Sequence, residues 1–302
     1  MTMQIFGGSS NTGLAKSIAK LGKWESGRTE SSQFENGERR IRVEKGSGTA
    51  AIIQAFSQPV DEHLIEFCLL CDALSRSGYT DLIGVIPWMG YSKQDKVFLP
   101  GEALSAKVIA QIIQTTKIKK IITFDLHNRA ITGFFEIPVV ELSAKPIFID
   151  YFRKTISKDT VVVAPDAGAV KASAYFAREL GVGIVYMDKR RDLGSGNVEV
   201  VGMSGEVKGK RVIIVDDMIV TGATMMASAK YLKQMGAKSV SVAATHHLYV
   251  KGAQEKLEDS EIDEVVVSDT VSAQSQIINS QILKYKKLKI LSVAQAIVDE
   301  LG

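Results

Sequence analysis

The chain has 302 residues, 45% hydrophobic and 24% charged, enough to bury one large core or two of ordinary domain size. Its 37 basic and 34 acidic residues leave a net charge of only +3, which excludes the broad basic field expected of a nucleic-acid-binding protein. No apolar run is long enough to span a bilayer, the N-terminus lacks a basic-then-apolar leader pattern, and two cysteines exclude a disulfide framework, so a cytoplasmic location is expected.

Short apolar runs alternate with amphipathic stretches along almost the whole chain. In order, the patterning predicts strand Gln4–Phe6, helix Thr12–Leu21, strand Ala51–Ala55, helix Val60–Ser77, strand Leu82–Pro87, helix Leu104–Thr116 and strand Lys120–Asp125. Then come helix Ala144–Thr155, strand Thr160–Pro165, helix Gly168–Leu180, strand Gly183–Asp188 and strand Arg211–Asp216. Helix Ala223–Met235, strand Val240–Thr245, helix Lys251–Glu258, strand Glu264–Val267 and helix Ser292–Leu301 complete the series. Such alternation implies an α/β fold with mainly parallel sheets. A boundary near residues 142–146 divides the strands into two comparable sets, hence two doubly wound domains, 1–143 and 144–289. Lys93–Glu102 and Arg190–Gly209 are polar interruptions expected to be mobile loops. Cys68 and Cys71 form a C-x-x-C, but Leu64, Phe67, Cys68, Cys71 and Leu74 make one helical stripe, which favours core packing over a metal or redox site.

The most informative stretch is Arg211-Val-Ile-Ile-Val-Asp-Asp-Met-Ile-Val-Thr-Gly-Ala-Thr224. Val212–Val215 reads as a strand buried on both faces, and ligands of such sheets sit beyond the strands' carboxyl ends. Met225, Ala229 and Leu232 share a helical face, so Val220, Thr221, Gly222, Ala223 and Thr224 fall at a helix N-terminus. There, free amides and the positive end of the dipole converge on an anion. Gly222 lets the backbone approach a ligand, and Thr221 and Thr224 add hydroxyls. Asp216 and Asp217 would repel a phosphate but accept hydrogen bonds from vicinal sugar hydroxyls. A strand-end acidic pair before an ordinary helix is the bland alternative; the full array favours a sugar-phosphate site.

This segment resembles the loop that binds phosphoribosyl pyrophosphate (PRPP) in type I phosphoribosyltransferases and in ribose-phosphate diphosphokinases, the PRPP synthetases. Further motifs resemble the synthetases over nearly the entire chain. Phe34-Glu-Asn-Gly-Glu38 is similar to their ATP-binding hairpin, which implies that Phe34, Asn36 and Glu38 contact the base from a neighbouring subunit. On its own, Asn36-Gly37 beside Arg39–Val43 is simply a hairpin turn. Lys93, Gln94 and Asp95 match an Arg-Gln-Asp nucleotide contact, with Lys93 where Arg is usual; a lysine brings a point charge instead of a two-donor fork.

By the same resemblance, His127, which follows Phe124-Asp125-Leu126, and Asp166, in Pro165-Asp-Ala-Gly168, are metal-site residues for Mg²⁺. Alternation places Asp125 and His127 on the same side of their strand. Lys171 is a second position where Arg is usual. Lys189 and Arg191, in Asp188-Lys-Arg-Arg191, match catalytic residues. Thr245-His-His247 and Ser268-Asp-Thr270 resemble strand ends lining the crevice, without assigned roles, and His63 is read as structural. The resemblance implies β,γ-diphosphoryl transfer from MgATP to the 1-hydroxyl of ribose 5-phosphate, giving PRPP and AMP. It also implies two domains of the type I phosphoribosyltransferase kind, residues 290–302 packing back on the first, and homodimers that assemble further. A catalytically silent regulatory subunit and a salvage phosphoribosyltransferase are the rival readings. The intact Asp216, Asp217, Lys189, Arg191, His127 and Asp166 weigh against the first, and the extra α/β half against the second.

Overall fold

Two mainly parallel sheets organise the computed structural model, which describes residues 3–191, 198–276 and 284–302, the side chains at 189–191, 198–201, 274 and 275 excepted. The chain forms two compact units, the first comprising Met1–Ser143, Asp269–Gln276 and Ser292–Gly302, the second Ala144–Ser268 and Ile277–Leu291.

In the first unit the strands are β1 (Met3–Gly7), β2 (Glu25–Ser26), β3 (Thr29–Gln33), β4 (Arg39–Val43), β5 (Gly48–Ile53), β6 (Tyr79–Ile86), β7 (Ile118–Phe124) and β8 (Val139–Leu142). Six of them form an all-parallel sheet in the order β2-β1-β5-β6-β7-β8, while β3 and β4 make a separate antiparallel hairpin. Helices α1 (Thr12–Gly22), α2 (Val60–Arg76) and α3 (Ser105–Gln114) cover the sheet. The α2 stripe Leu64, Phe67, Leu70, Cys71 and Leu74 is buried in the core, and Cys68 is half-buried beside it, so packing explains both thiols. Burial pushes both thiols above their ordinary value of 9.0, that of Cys71 strongly, which suits inert core residues. Ile41 and Val43 pack against the same core and anchor the base of the hairpin.

The second unit contains β9 (Thr160–Ala164), β10 (Gly183–Arg191), β11 (Val198–Ser204), β12 (Arg211–Ile219), β13 (Ser239–His247), β14 (Glu264–Ser268) and β15 (Leu288–Leu291), with order β11-β10-β9-β12-β13-β14-β15. Only β11 runs antiparallel, against β10. Its helices are α4 (Lys145–Arg153), α5 (Val170–Leu180), α6 (Ala223–Gln234) and α7 (Ala253–Asp259). β9 is buried along its whole length, as a central strand covered on both faces must be. Sheet order reverses between β9 and β12, because the chain moves from β9 outward to β10 and then returns to the other side of β9. That reversal creates a crevice at the strands' carboxyl ends.

The two C-terminal returns, α8 (Ala273–Gln276) and α9 (Ala294–Leu301), belong to the first unit. Asp269 ties the start of α9 to that of α1: its carboxylate accepts from Val293 N (2.8 Å), and its carbonyl accepts from Asn11 Nδ2 (3.3 Å). Glu300 on α9 pairs with Lys120 of β7.

The α/β class is as expected, and the differences lie at edges. β2 has two residues, β8 is only half-buried, and β15 carries an outward lysine, so none presents the apolar run that marks a central strand. Arg190–Gly209, expected as a loop, contains β11 and the end of β10; its residues 192–197 lie outside the description. Lys93–Glu102 is irregular, as expected, and holds the exposed Val97, Phe98 and Leu99.

Candidate active site

Strand β12 does not stop at Asp216. It continues to Ile219, and β13 still pairs with it there, Asp216 opposite Ala244, Met218 opposite His246 and Ile219 opposite His247. β9 leaves it earlier, its last partner being Val163 opposite Ile214. Asp216 and Asp217 therefore sit within an extended strand that one neighbour has already abandoned, not in a turn. Asp217 N donates to Asp216 Oδ1 (2.9 Å), tying the pair together.

Asp166, just beyond β9, accepts from Ala169 N through Oδ1 (3.1 Å), which orients its carboxylate at the entry to α5. It is close enough to disfavour ionisation of Asp216. Burial raises the Asp216 carboxyl well above its ordinary value of 3.8, and the charges of Asp217 and Asp166 push it the same way. Three carboxylates thus gather at the sheet's reversal point, and their charges disfavour one another's ionisation. Cations or hydroxyl donors from a ligand would relieve that repulsion.

Gly222 begins α6 with φ +76°, and its carbonyl accepts from Met226 N (2.9 Å). A side chain there would be strained by the backbone and would meet Leu257 of α7: an added Cβ would lie 2.9 Å from Leu257 Cδ2. Thr221 Oγ1 accepts from Ala223 N (3.4 Å), and Thr221 and Ala223 are exposed while Val220 and Thr224 are half-buried. The first-turn amides of α6 and these hydroxyls form an open, electropositive cradle. Asp216 through Thr224 thus joins carboxylate acceptors to helix-start donors on one continuous strand–turn–helix.

In the first unit, sheet order reverses between β1 and β5, but protein side chains fill that crevice. Ser9 gives its amide (3.2 Å) and hydroxyl to the Glu66 carboxylate, Ser10 N donates to Gln54 Oε1 (3.2 Å), and Gln54 Nε2 donates to Glu66 Oε2 (2.9 Å). Glu66 is 1% exposed. In this unit an internal carboxylate, Glu66, thus bonds the loop that leads from β1 into α1.

The residues predicted for the nucleotide lie in the first unit. Phe34–Glu38 is the loop of the β3–β4 hairpin, closed by Phe34 N donating to Glu38 O (2.8 Å) and by Asn36 Oδ1 accepting from Glu38 N (3.2 Å), with Gly37 at φ +89°. Phe34 is 52% exposed. With Gln33, Arg39 and the α2 residues Asp61, Glu62, Ile65 and Leu69, it lines an open cleft of about 570 Å³ in which Glu38 also participates and Asn36 does not. Lys93, Gln94 and Asp95 follow Tyr91, which has φ +65°. Gln94 O accepts from Ala106 N (3.1 Å), fixing the start of α3. Asp95 Oδ2 accepts from Asn128 Nδ2 (2.6 Å), which brings Asp95 to the segment carrying His127.

That segment departs from expectation. β7 ends at Phe124; Asp125 takes φ +30° and is buried, held by Ser143 Oγ (2.8 Å), whereas His127 is exposed. Strand alternation does not carry through to His127. The backbones of Lys189 and Arg191 belong to β10, at and after a bulge between Asp188 and Lys189, and their side chains lie outside the description. Sequence reasoning missed Asn128, Leu257 and the Gln54–Glu66 plug. Asn128 neighbours His127 in the sequence, but the other contacts come from segments far apart and leave no local pattern. Among the described residues no group of three or more His, Cys, Asp or Glu is arranged to hold a metal by itself, and no helix is long and apolar enough to cross a membrane.

Residues 3–116 match the sequence family described as the N-terminal domain of ribose phosphate pyrophosphokinase, and residues 134–282 match the phosphoribosyl transferase domain family. Ribose-phosphate pyrophosphokinase of Helicobacter hepaticus is 36% identical, over 96% of this chain and 92% of that protein. The Thermotoga maritima protein of the same name is 36% identical over 98% and 92%. The crystal structure of phosphoribosylpyrophosphate synthetase from Mycobacterium smegmatis superimposes with a TM-score of 0.88 at 30% identity, covering 100% of this chain and 98% of that one. The chain belongs to the ribose-phosphate pyrophosphokinase family.

Proposed function

We propose that this enzyme transfers the β,γ-diphosphoryl group of ATP to the 1-hydroxyl of ribose 5-phosphate, releasing AMP and forming PRPP. The observation that carries this reading is the Asp216–Thr224 segment, with its carboxylate pair and its cradle at the start of α6. Amides of residues 220–224, with Thr221 and Thr224, bind the 5-phosphate. Asp216 and Asp217 accept from the ribose 2- and 3-hydroxyls and so orient the 1-hydroxyl. Positioning of this kind lowers a barrier by up to about 7–11 kcal/mol in favourable intramolecular cases.

Phe34, Asn36 and Glu38 are assigned to the adenine base, and Lys93, Gln94 and Asp95 to the remainder of the nucleotide. The exposure of Phe34 on a two-stranded hairpin leaves it available to a neighbouring copy, consistent with a dimer that assembles further. His127 and Asp166 are assigned to Mg²⁺. A carboxylate such as Asp166 suits this hard cation, the imidazole less so, and Mg²⁺ usually keeps several waters and phosphate oxygens as ligands. When bound, Mg²⁺ withdraws charge from the phosphate oxygens. Lys189 and Arg191 meet the negative charge that develops on the β-phosphoryl oxygens and the leaving AMP, an interaction stronger in the transition state than before it. A cytoplasmic location suits this role.

Following AMP formation from MgATP with and without ribose 5-phosphate tests the assignment. AMP should form only with both, in step with PRPP. Absence of turnover would favour the silent regulatory subunit, and nucleobase-dependent release of pyrophosphate from PRPP would favour the salvage transferase. Lys189→Ala should lower kcat by about a hundredfold or more. Ribose 5-phosphate affinity, read by calorimetry, should stay within roughly twofold, because the lost interaction belongs to the transition state. Full turnover in that variant removes Lys189 from the catalytic assignment.

A further inference from the structure

We infer that His247 is a positioning residue for the ribose 5-phosphate loop, acting through Gln254 and the helix α7 that abuts Gly222. The inference rests on the reading of residues 220–224 as the phosphate site. His247 ends β13, opposite Ile219, the last residue of β12 before the loop, and Leu248 N donates to Ile219 O (2.9 Å). Ile219, His247, Gln254 and Leu257 are all buried.

The hydrogen-bond chain has one consistent direction. An amide can only donate, so Tyr249 N–H (3.0 Å) requires an unprotonated His247 Nδ1. The ring proton then sits on Nε2 and is donated to Gln254 Oε1 (2.9 Å). With its oxygen engaged, Gln254 donates through Nε2 to Glu258 Oε1 (3.3 Å). Glu258 in turn accepts from Lys286 N (3.1 Å) and Lys287 N (3.0 Å). Stacking on Tyr249, with centroids 4.0 Å apart and planes 6° from parallel, locks the imidazole ring. Burial lowers its pKa from 6.5 to about 4, so the ring is neutral at ordinary pH and the single tautomer persists.

This chain fixes the height of α7 against β13. One turn beyond the Gln254 contact, Leu257 fills the space where a side chain on Gly222 would project. The loop therefore rests on Leu257 at its inner side, and the backbone of residue 222 and the amides after it depend on where α7 sits. Releasing Gln254 lets α7 shift and relaxes the cradle. A cradle that holds the 5-phosphate alike in ground state and transition state affects KM for ribose 5-phosphate and leaves kcat alone.

Three substitutions separate the links. His247→Gln places an amide donor near the Nε2 position and should keep KM for ribose 5-phosphate close to that of the wild type. His247→Asn keeps an acceptor for Tyr249 N–H but cannot reach Gln254. It should raise that KM about tenfold, with kcat and KM for ATP within roughly twofold. Gln254→Met, similar in shape and read from the other end of the contact, should match His247→Asn. The two together should not add, because they cut the same link. A merely structural role would lower the melting temperature and the active fraction with both KM values unchanged. That result, or an unaltered KM in both His247→Asn and Gln254→Met, overturns the inference while leaving the function intact. Wild-type protein that forms no AMP from ribose 5-phosphate overturns the function and this inference with it.

Discussion

Replacing Asp216 and Asp217 together with Asn should weaken ribose 5-phosphate binding by about two to four orders of magnitude and, at the same time, stabilise the ligand-free protein at neutral pH. Each hydrogen bond to a charged acceptor is worth about 1.5–3 kcal/mol, and the pair supplies two, hence about 3–6 kcal/mol. Asn keeps the shape and one oxygen acceptor but loses the charge and leaves an amide donor facing a hydroxyl. The gain in stability has a separate origin. Asp216 sits buried beside Asp217 and Asp166, and its carboxyl is held above the ordinary value of 3.8 in the folded state. Between 3.8 and that raised value the folded protein binds more protons than the unfolded chain, so stability falls as pH rises through the window. Asn cannot ionise and escapes the loss.

The measurement is the difference in stability between wild type and Asp216→Asn across pH 4 to 8, alongside calorimetry with ribose 5-phosphate on the double variant. The difference matters because His247 works in the opposite direction. Its pKa is lowered to about 4 in the fold, so its contribution is complete above 6.5 and is lost as pH falls towards 4. A stability difference independent of pH would remove the electrostatic account of Asp216. Unchanged affinity in the double variant would remove the sugar clamp.

Much of this site was legible because it is local. One strand, two carboxylates, a Thr-Gly turn and a helix lie within fourteen consecutive residues, and the patterning of Val212–Val215 and of Met225, Ala229 and Leu232 fixes what precedes and follows them. The strand end was misplaced by three residues, because Met218 and Ile219 continue the pairing with β13 after β9 has ended, and a single strand's sequence does not show its neighbours' lengths. The position of His127 failed for a related reason. Alternation holds only while the backbone stays extended, and Asp125 leaves that conformation. The edge strands β8 and β15 escaped notice because edges need neither a continuous apolar run nor two buried faces.

The two reversal points show what composition alone does not distinguish. Both units bring a loop and a helix start to the carboxyl ends of their central strands. In the first, Glu66 on α2 reaches the loop at Ser9 from 57 residues away in sequence. In the second, carboxylates lie on the strand itself and leave the helix start open. Whether such a crevice receives a ligand or the protein's own carboxylate depends on which distant side chain points into it, and that contact has no signature near the loop.

Gly222→Val should reduce ribose 5-phosphate affinity by about a hundredfold or more, and a relief experiment divides the loss into its causes. The first is the backbone: φ is +76° here, and an L side chain costs about 1–2 kcal/mol in that conformation, more when β-branched. The second is space, because the Cβ would lie 2.9 Å from Leu257 Cδ2 and 3.2 Å from Cγ. Overpacking of that kind costs about 1–3 kcal/mol. The loop escapes both by moving, and movement displaces the amides at the start of α6. Gly222→Ala should lose less than the valine variant, and Leu257→Ala in the same chain should restore part of its affinity by opening the space. The residue of the loss is then the price of φ, which no change in α7 can remove. Ribose 5-phosphate titrations of Gly222→Ala, Leu257→Ala and the double variant measure this coupling. Strictly additive effects would mean that α7 does not support the loop, and wild-type affinity in Gly222→Val would mean that the phosphate is held elsewhere.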